Sequence, residues 1–238
     1  MVEIQTQYAE QWDKSSEFFY SKGYYQWMEK MIAEYETILE IGCGCGYSTL
    51  SLVKTGHRVL AIDKNPVCID MACNLIKKSG YEDAAAFLEL DISQPGAIEE
   101  LATQFQYDAV ICWNMGSYYE INELRNIYAP RMIEYGLTPE QINSNITSSY
   151  CEYIIWNSCK VAALKGVPLQ IVDRNEEEIS GENDGYYSLL GREFGYDRIE
   201  YNSKAGESIS GEGVKLLKKG KIQDEAIVPI VFNMVLFS

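Results

Sequence analysis

The chain has 238 residues, 47% of them hydrophobic, the scale of one α/β domain able to bury a sizeable core. Acidic side chains outnumber basic ones 35 to 20, and the formal charge of −15 repels phosphate backbones, which argues against a nucleic-acid partner. No run approaches 18 apolar residues, and the N-terminus lacks a basic flank with an apolar core. Neither a membrane span nor a signal peptide is therefore expected, and a cytoplasmic, reducing location follows.

Taken in order, residues 1–35 are rich in aromatics: Tyr8, Trp12, Phe18, Phe19, Tyr20, Tyr24, Tyr25, Trp27 and Tyr35. Gly23 divides them into two expected helices, about 5–20 and 24–34, with Tyr8 and Trp12 one turn apart on one face. Packing against a sheet accounts for most of these rings. Ile38 to Ile41 is a short apolar run suited to a buried strand, and Gly42, Gly44 and Gly46 follow at alternate positions before a helical spacing from Tyr47 to Val53. Glycine is required where the backbone takes a positive φ or must let a ligand approach. The spacing excludes the dinucleotide fingerprint G-x-G-x-x-G, whose last glycine would fall at Tyr47 or at Thr49.

Gly56 ends the first helix, and Arg58 to Ile62 is expected as a second strand with Asp63 at its end. An acidic residue about 20 positions beyond the glycines is placed to meet a ribose diol. Asn65 and Pro66 form a helix start, N-cap and first position, for a helix running to Gly80. A third strand, Phe87 to Leu90, ends at Asp91-Ile92; a helix covers 98–105; a fourth strand, Asp108 to Trp113, ends at Asn114-Met115-Gly116. The next 50 or so residues exceed what one crossover needs. Thr138-Pro139-Glu140-Gln141 reads as a capping box opening a helix, and Ser148 to Leu164 as the crossover helix proper. The excess, 117–146, carries Tyr118, Tyr119, Glu120, Glu123, Arg125, Tyr128, Arg131, Glu134 and Tyr135. Beyond it lie a fifth strand (168–173), an acidic loop (176–184), a helix (186–194) and a short sixth strand (198–201). A small-residue loop (203–213), a lysine-bearing hairpin turn (Lys215 to Lys221) and a terminal strand (231–237) complete the chain.

The cysteines (Cys43, Cys45, Cys68, Cys73, Cys112, Cys151 and Cys159) are odd in number and include no CxxC pair; with one histidine, no metal site is expected. That histidine, His57, falls in the turn entering the second strand, away from the strand ends, and a structural role is expected for it.

The E-x-G-x-G-x-G run from Glu40 to Gly46, followed by Asp63, Asp91-Ile92 and the end of strand four, resembles the class I (Rossmann-like) S-adenosylmethionine-dependent methyltransferases over about residues 35–175. The resemblance implies an α/β fold with a doubly wound, mostly parallel seven-stranded sheet, ordered 3-2-1-4-5 and ending in a C-terminal antiparallel hairpin. The chain would be one domain, 1–238, with a helical N-terminal lid (1–35) and a helical, substrate-side insertion after strand four (117–146). It implies S-adenosyl-L-methionine as co-substrate, without a metal, held by the turn residues Glu40, Gly42, Cys43, Gly44 and Gly46. Asp63 would bind the ribose hydroxyls with Lys64 beside it. Asp91 would meet the adenine amino group, Ile92 would pack on its ring, and Trp113 would stand close by. Tyr8 or Trp12 would approach the methionine sulfur from the lid.

Many O-methylating relatives use a histidine base, which this chain lacks near the strand ends. The candidate catalytic groups are Asn114, Tyr118 and Tyr119. Asn114-Met115-Gly116-Ser117 lacks the prolines and aromatic of base-methylating loops, and Trp113-Asn114 supplies no acidic cluster for a metal. An aromatic, acidic rim suits a small-molecule acceptor presenting an amine. A protein or peptide acceptor, or a cofactor-binding protein without transferase activity, are the alternatives. An enclosed pocket, an open groove and a blocked methyl face would tell the three apart.

Overall fold

A computed structural model describes residues 2–116, 121–134, 136–144, 146–210, 213, 216–218, 221–223 and 226–238. Two helices, α1 (Val2–Ser21) and α2 (Tyr24–Glu29), precede β1 (Thr37–Ile41). Then come α3 (Tyr47–Lys54), β2 (Arg58–Asp63), α4 (Pro66–Ser79), β3 (Ala85–Glu89), α5 (Ala97–Gln104) and β4 (Ala109–Trp113). The insertion is helical, comprising α6 (Ile121–Glu123), a π-helical turn (Leu124–Tyr128), α7 (Ala129–Glu134) and α8 (Pro139–Ser144). After it follow α9 (Ser149–Lys165), β5 (Leu169–Asn175), α10 (Tyr187–Phe194), β6 (Ile199–Ile209), β7 (Leu217–Lys218), β8 (Lys221–Ile222) and β9 (Ile227–Phe237).

The seven-stranded sheet runs β3-β2-β1-β4-β5-β9-β6. Pairing is parallel from β3 to β5 and antiparallel where β9 inserts between β5 and β6. The central strands are continuous apolar runs because both faces are covered, and β4 is buried at every position. One face packs α5, α9 and the insertion; the other packs α1 to α4. All the parallel strands therefore deliver their carboxyl ends to one edge of the sheet, where open α/β proteins hold ligands.

Local chemistry sets most of the boundaries. Asn65 Oδ1 accepts from Val67 N at 3.1 Å with Pro66 at the first helical position, and α4 stops at Gly80 with φ 77°. Thr138 and Gln141 exchange bonds, Thr138 N to Gln141 Oε1 at 2.7 Å and Gln141 N to Thr138 Oγ1 at 3.3 Å, forming the capping box that starts α8.

One expectation changes. Residues 203–209 are strand rather than loop: β6 pairs with β9 residue for residue from Ile199↔Phe237 to Ile209↔Ile227. Its small residues make room, since a Cβ at Gly206 would stand 2.7 Å from the Phe232 ring and 3.2 Å from that of Tyr24. The insertion, expected on the substrate side, is also built into the core. Leu124, Tyr128, Met132 and Ile142 are buried in the same core cluster as the α9 and β4 side chains. Cutting out 120–144 would strip that face of the sheet, so such a deletion reports on folding rather than on a lid. The lysine-bearing segment forms the expected hairpin, with Lys218 opposite Lys221; Lys215 and Lys219 lie outside the described residues.

Most of the N-terminal aromatics pack on the sheet. Phe19 is fully buried, 5.3 Å from the Phe232 ring and 5.9 Å from that of Tyr24. Among the described residues no helix is long and apolar enough to cross a membrane.

Candidate active site

A cavity of about 590 Å³ lies at the carboxyl ends of β1 to β4, under the N-terminal half of α1 on one side and the π-helical turn and first turn of α9 on the other. Of the residues singled out from the sequence, Tyr8, Trp12, Gly42, Cys43, Gly44, Asp63, Lys64, Asp91, Ile92, Trp113 and Asn114 all line it. Glu40 and Gly46 do not. Tyr118 and Tyr119 lie outside the described residues.

The three turn glycines serve three different ends. A Cβ on Gly42 would strike Met115 Cε at 2.5 Å, so its absence lets Met115 lie across the turn. A Cβ on Gly46 would fall 2.8 Å from that of Ala72, so here the missing side chain lets α3 and α4 meet. Only at Gly44, with φ 52°, would a Cβ meet nothing within 4 Å. It points into open space, as a backbone that cradles a ligand requires.

The turn is tied down by β2. Gly42 N and Cys43 N donate to Ile62 O at 2.8 and 3.0 Å, and Asp63 accepts from Gly44 N at 3.0 Å and Asn65 N at 2.8 Å. Burial pushes the Asp63 carboxyl up, and those amide bonds oppose the rise. Helix α1 is pinned over the turn by Asn65 Nδ2 to Gln5 O, 3.1 Å, and Cys45 Sγ to Ala9 O, 3.4 Å.

Glu40 is a correction to the expected set. Its side chain lies beneath the turn, 2% exposed, where its two oxygens accept from Ser48 Oγ and Thr49 Oγ1, the latter at 2.5 Å. Those hydroxyls belong to the first turn of α3, so Glu40 anchors a helix N-terminus and offers nothing to the cavity. Burial pushes its carboxyl from 4.5 up to about 7. The folded state thus holds a proton that the unfolded chain releases. The stabilisation is complete below about pH 4.5 and lost as pH rises through about 7. Glu40→Gln should remove this contribution, giving a flatter melting-temperature profile between pH 4.5 and 7 than the parent; parallel profiles would refute the assignment.

Asn114 is likewise repositioned. It is the one described non-glycine residue with positive φ, 53°, a conformation that clusters at ligand sites. Its side chain turns inward, with Nδ2 3.8 Å from Met28 Sδ and Oδ1 shielded from solvent. Asn114 nonetheless lines the cavity. The next residues form its wall: a Cβ on Gly116 would sit 2.4 Å from the Trp12 ring and 2.9 Å from Tyr8 Oη. Trp12 is backed by the Arg174 guanidinium, 5.2 Å from its centroid. Trp113 is fixed by Nε1 to Gln170 Oε1 at 2.7 Å and lies nearly parallel to Tyr25, which also lines the cavity.

Sequence reasoning passed over Tyr150, Cys68, Ser48 and Ile154 as lining residues. Tyr150 carried a usable signal, since it falls in the first turn of the crossover helix after strand four, directly over the strand ends.

His57 stands apart from all of this. It is 4% exposed, with Nδ1 2.7 Å from Tyr35 O and Nε2 3.1 Å from Glu29 Oε1, tying α2 to the start of β2. His57→Gln should lower stability by about 1–3 kcal/mol, because it breaks up a buried hydrogen-bonded tie, yet leave turnover within about threefold. A hundredfold loss of turnover in folded protein would make the histidine part of the chemistry. Among the described residues no group of three His, Cys, Asp or Glu side chains is placed to hold a metal ion.

A doubly wound sheet with a reversed last pair, a glycine turn after β1 and an acidic residue at the end of β2 define the Rossmann-like methyltransferase fold. Residues 38–130 match the model of a methyltransferase-domain family. Solved structures agree over nearly the whole chain. A putative RNA methyltransferase, PH1948 from Pyrococcus horikoshii, superposes with a TM-score of 0.57 at 10% identity, covering 92% of this chain and 82% of its own. The N-terminal domain of EvdMO1, in the presence of SAH and D-fucose, gives 0.51 at 13% identity over 90% and 80%. The structure for conversion of a disulfide bond into a thioacetal group during echinomycin biosynthesis gives 0.50 at 14% over 90% and 81%. This chain spans only 39% of the longer EvdMO1 structure. At these identities the likeness is one of fold. No curated protein matches in sequence. The match over residues 38–130 and the shared architecture thus give this chain a methyltransferase-like domain with the fold of the solved methyltransferases it resembles.

Proposed function

We propose that this protein, acting as one domain, methylates a small molecule at an amine nitrogen, with S-adenosylmethionine as co-substrate. The observation that carries the reading is the cavity itself. It opens beside Gly44, runs along Asp63, Asp91 and Ile92, and is walled by Tyr8, Trp12, Met115 and Gly116 beneath α1. When bound, the co-substrate supplies an electrophilic methyl group on a sulfonium.

The residues present suit that guest. Gly44 leaves room for its approach, Asp63 keeps acceptor capacity for ribose hydroxyls, and Asp91 with Ile92 offers an acceptor beside an apolar surface. Beyond them the wall is aromatic, and its carboxylates include Glu123 at the roof. Such a lining attracts an amine-bearing acceptor and excludes water from the reacting pair. A neutral amine brings its own lone pair and needs no histidine base, and His57 is committed elsewhere. A cleft of this volume suits a small acceptor, and the charge of −15 disfavours a nucleic acid.

The test is transfer of labelled methyl from S-adenosylmethionine to matched amines and alcohols, with products read by mass spectrometry. N-methyl products support the reading. O-methyl products would overturn the choice of atom, and labelling of protein or RNA alone would overturn the choice of acceptor. Binding without any transfer would favour a non-methylating role.

A further inference from the structure

Lys64 is the first residue past β2, yet its side chain crosses the cavity to the opposite wall. Its Nζ donates to Tyr128 Oη at 3.0 Å and stands 4.4 Å from the Tyr150 ring centroid and 5.3 Å from that of Tyr128. The two tyrosines come from separate elements, Tyr128 from the end of the π-helical turn and Tyr150 from the first turn of α9, and meet edge-on at 4.9 Å. Both are buried and both line the cavity, as Lys64 does. Burial pushes the Lys64 ammonium's pKa down, and the nearby carboxylates Asp91, Glu123 and Asp63 only partly oppose that. A cation held on two aromatic faces and a hydroxyl in a partly dry site is a strong tie. It joins the strand-end wall to the helical roof.

The roof borders the cavity mouth. The lining residues that are themselves exposed are Ile4 on α1, Gln94 beyond β3 and Ile127 on the π-helical turn. Ile127 lies one residue before Tyr128, so whatever frees Tyr128 also frees one side of the mouth.

We propose that Lys64 is a latch which holds the 121–134 roof down over the nucleoside end of the cavity, so that entry and release of the nucleoside require its tie to Tyr128 and Tyr150 to break. The proposal rests on the methyl-donor reading of this cavity. It makes Lys64 a positioning residue whose effect falls on release and on roof opening.

Hydrogen exchange of 121–134, measured in the free protein and saturated with S-adenosylhomocysteine, tests it together with the release rate of that ligand by stopped flow. Lys64→Met should speed exchange in 121–134 about tenfold, leave the β1 and β4 amides unchanged, and speed release by a similar factor. Lys64→Arg keeps the charge and the stacking and should restore roof protection to within about threefold, which mere filling of space would not do. Tyr128→Phe, keeping the ring and losing the hydroxyl, should fall between the two. Exchange in 121–134 that is the same in Lys64→Met as in the parent would overturn the latch, as would an arginine variant no better than methionine. Faster roof exchange in Lys64→Met, with no binding of S-adenosylhomocysteine by parent or variant, would uphold the tie and sink the methyl-donor reading instead.

Discussion

Asp63→Ala should lose S-adenosylmethionine and S-adenosylhomocysteine binding by about 2–3 kcal/mol, roughly 30- to 150-fold in affinity, while the protein still folds. The size follows from what the carboxylate does in the absence of any ligand. Its two oxygens accept from Gly44 N at 3.0 Å and Asn65 N at 2.8 Å, so it holds both the glycine turn and the start of α4. Removing it deletes a ribose acceptor and loosens the turn that cradles the rest. Asp63→Asn separates the two effects, because an amide keeps one acceptor oxygen while losing the charge. Titration calorimetry with both ligands should rank the parent above asparagine and asparagine above alanine. Alanine binding like the parent would place the ligand elsewhere, and NAD binding in preference to either ligand would overturn the site reading.

The second large effect is expected at Gly44→Val. At φ 52° a β-branched residue is strained by about 1–3 kcal/mol, and its methyls would enter the open space into which this position points. Stability should fall modestly and binding should fall beyond a hundredfold. The neighbouring glycines give the contrast. Gly46→Val drives a side chain into Ala72, whose Cβ and Cα stand within 3 Å of the new atom, and should cost fold stability first. Gly42→Val collides with the end of a flexible methionine and should be milder in stability than Gly46→Val. Thermal melts beside calorimetry resolve the three. If Gly44→Val bound the donor normally, the turn would not be the cradle.

Much of this was written in local sequence. The apolar runs at 38–41 and 108–113, the Asn65-Pro66 start, the Thr138–Gln141 box and the glycine at 80 are short-range signals, and each produced the element expected of it. Asp63 and Asp91 were legible for the same reason: a residue just past a parallel strand is delivered to the ligand edge by topology alone. Other features depended on partners distant in sequence. The strand character of 203–209 comes from β9, which supplies the hydrogen bonds that a small-residue stretch cannot demand by itself. The direction of a side chain at a strand end was equally invisible. Glu40 belongs to the motif, but strand alternation and the hydroxyls of Ser48 and Thr49 turn it under the floor; Asn114, at a positive φ, has its amide against Met28.

By itself, then, the sequence determined the sheet, the glycine turn and the acidic strand ends, because these rest on propensity, capping and period within a few residues. Only the tertiary structure decided which glycine leaves open space at the cavity and which makes room for packing, that the insertion is part of the core, and that Lys64 reaches across to Tyr128 and Tyr150. Each of these joins segments far apart in the chain, and such pairings leave no periodic trace in either segment alone.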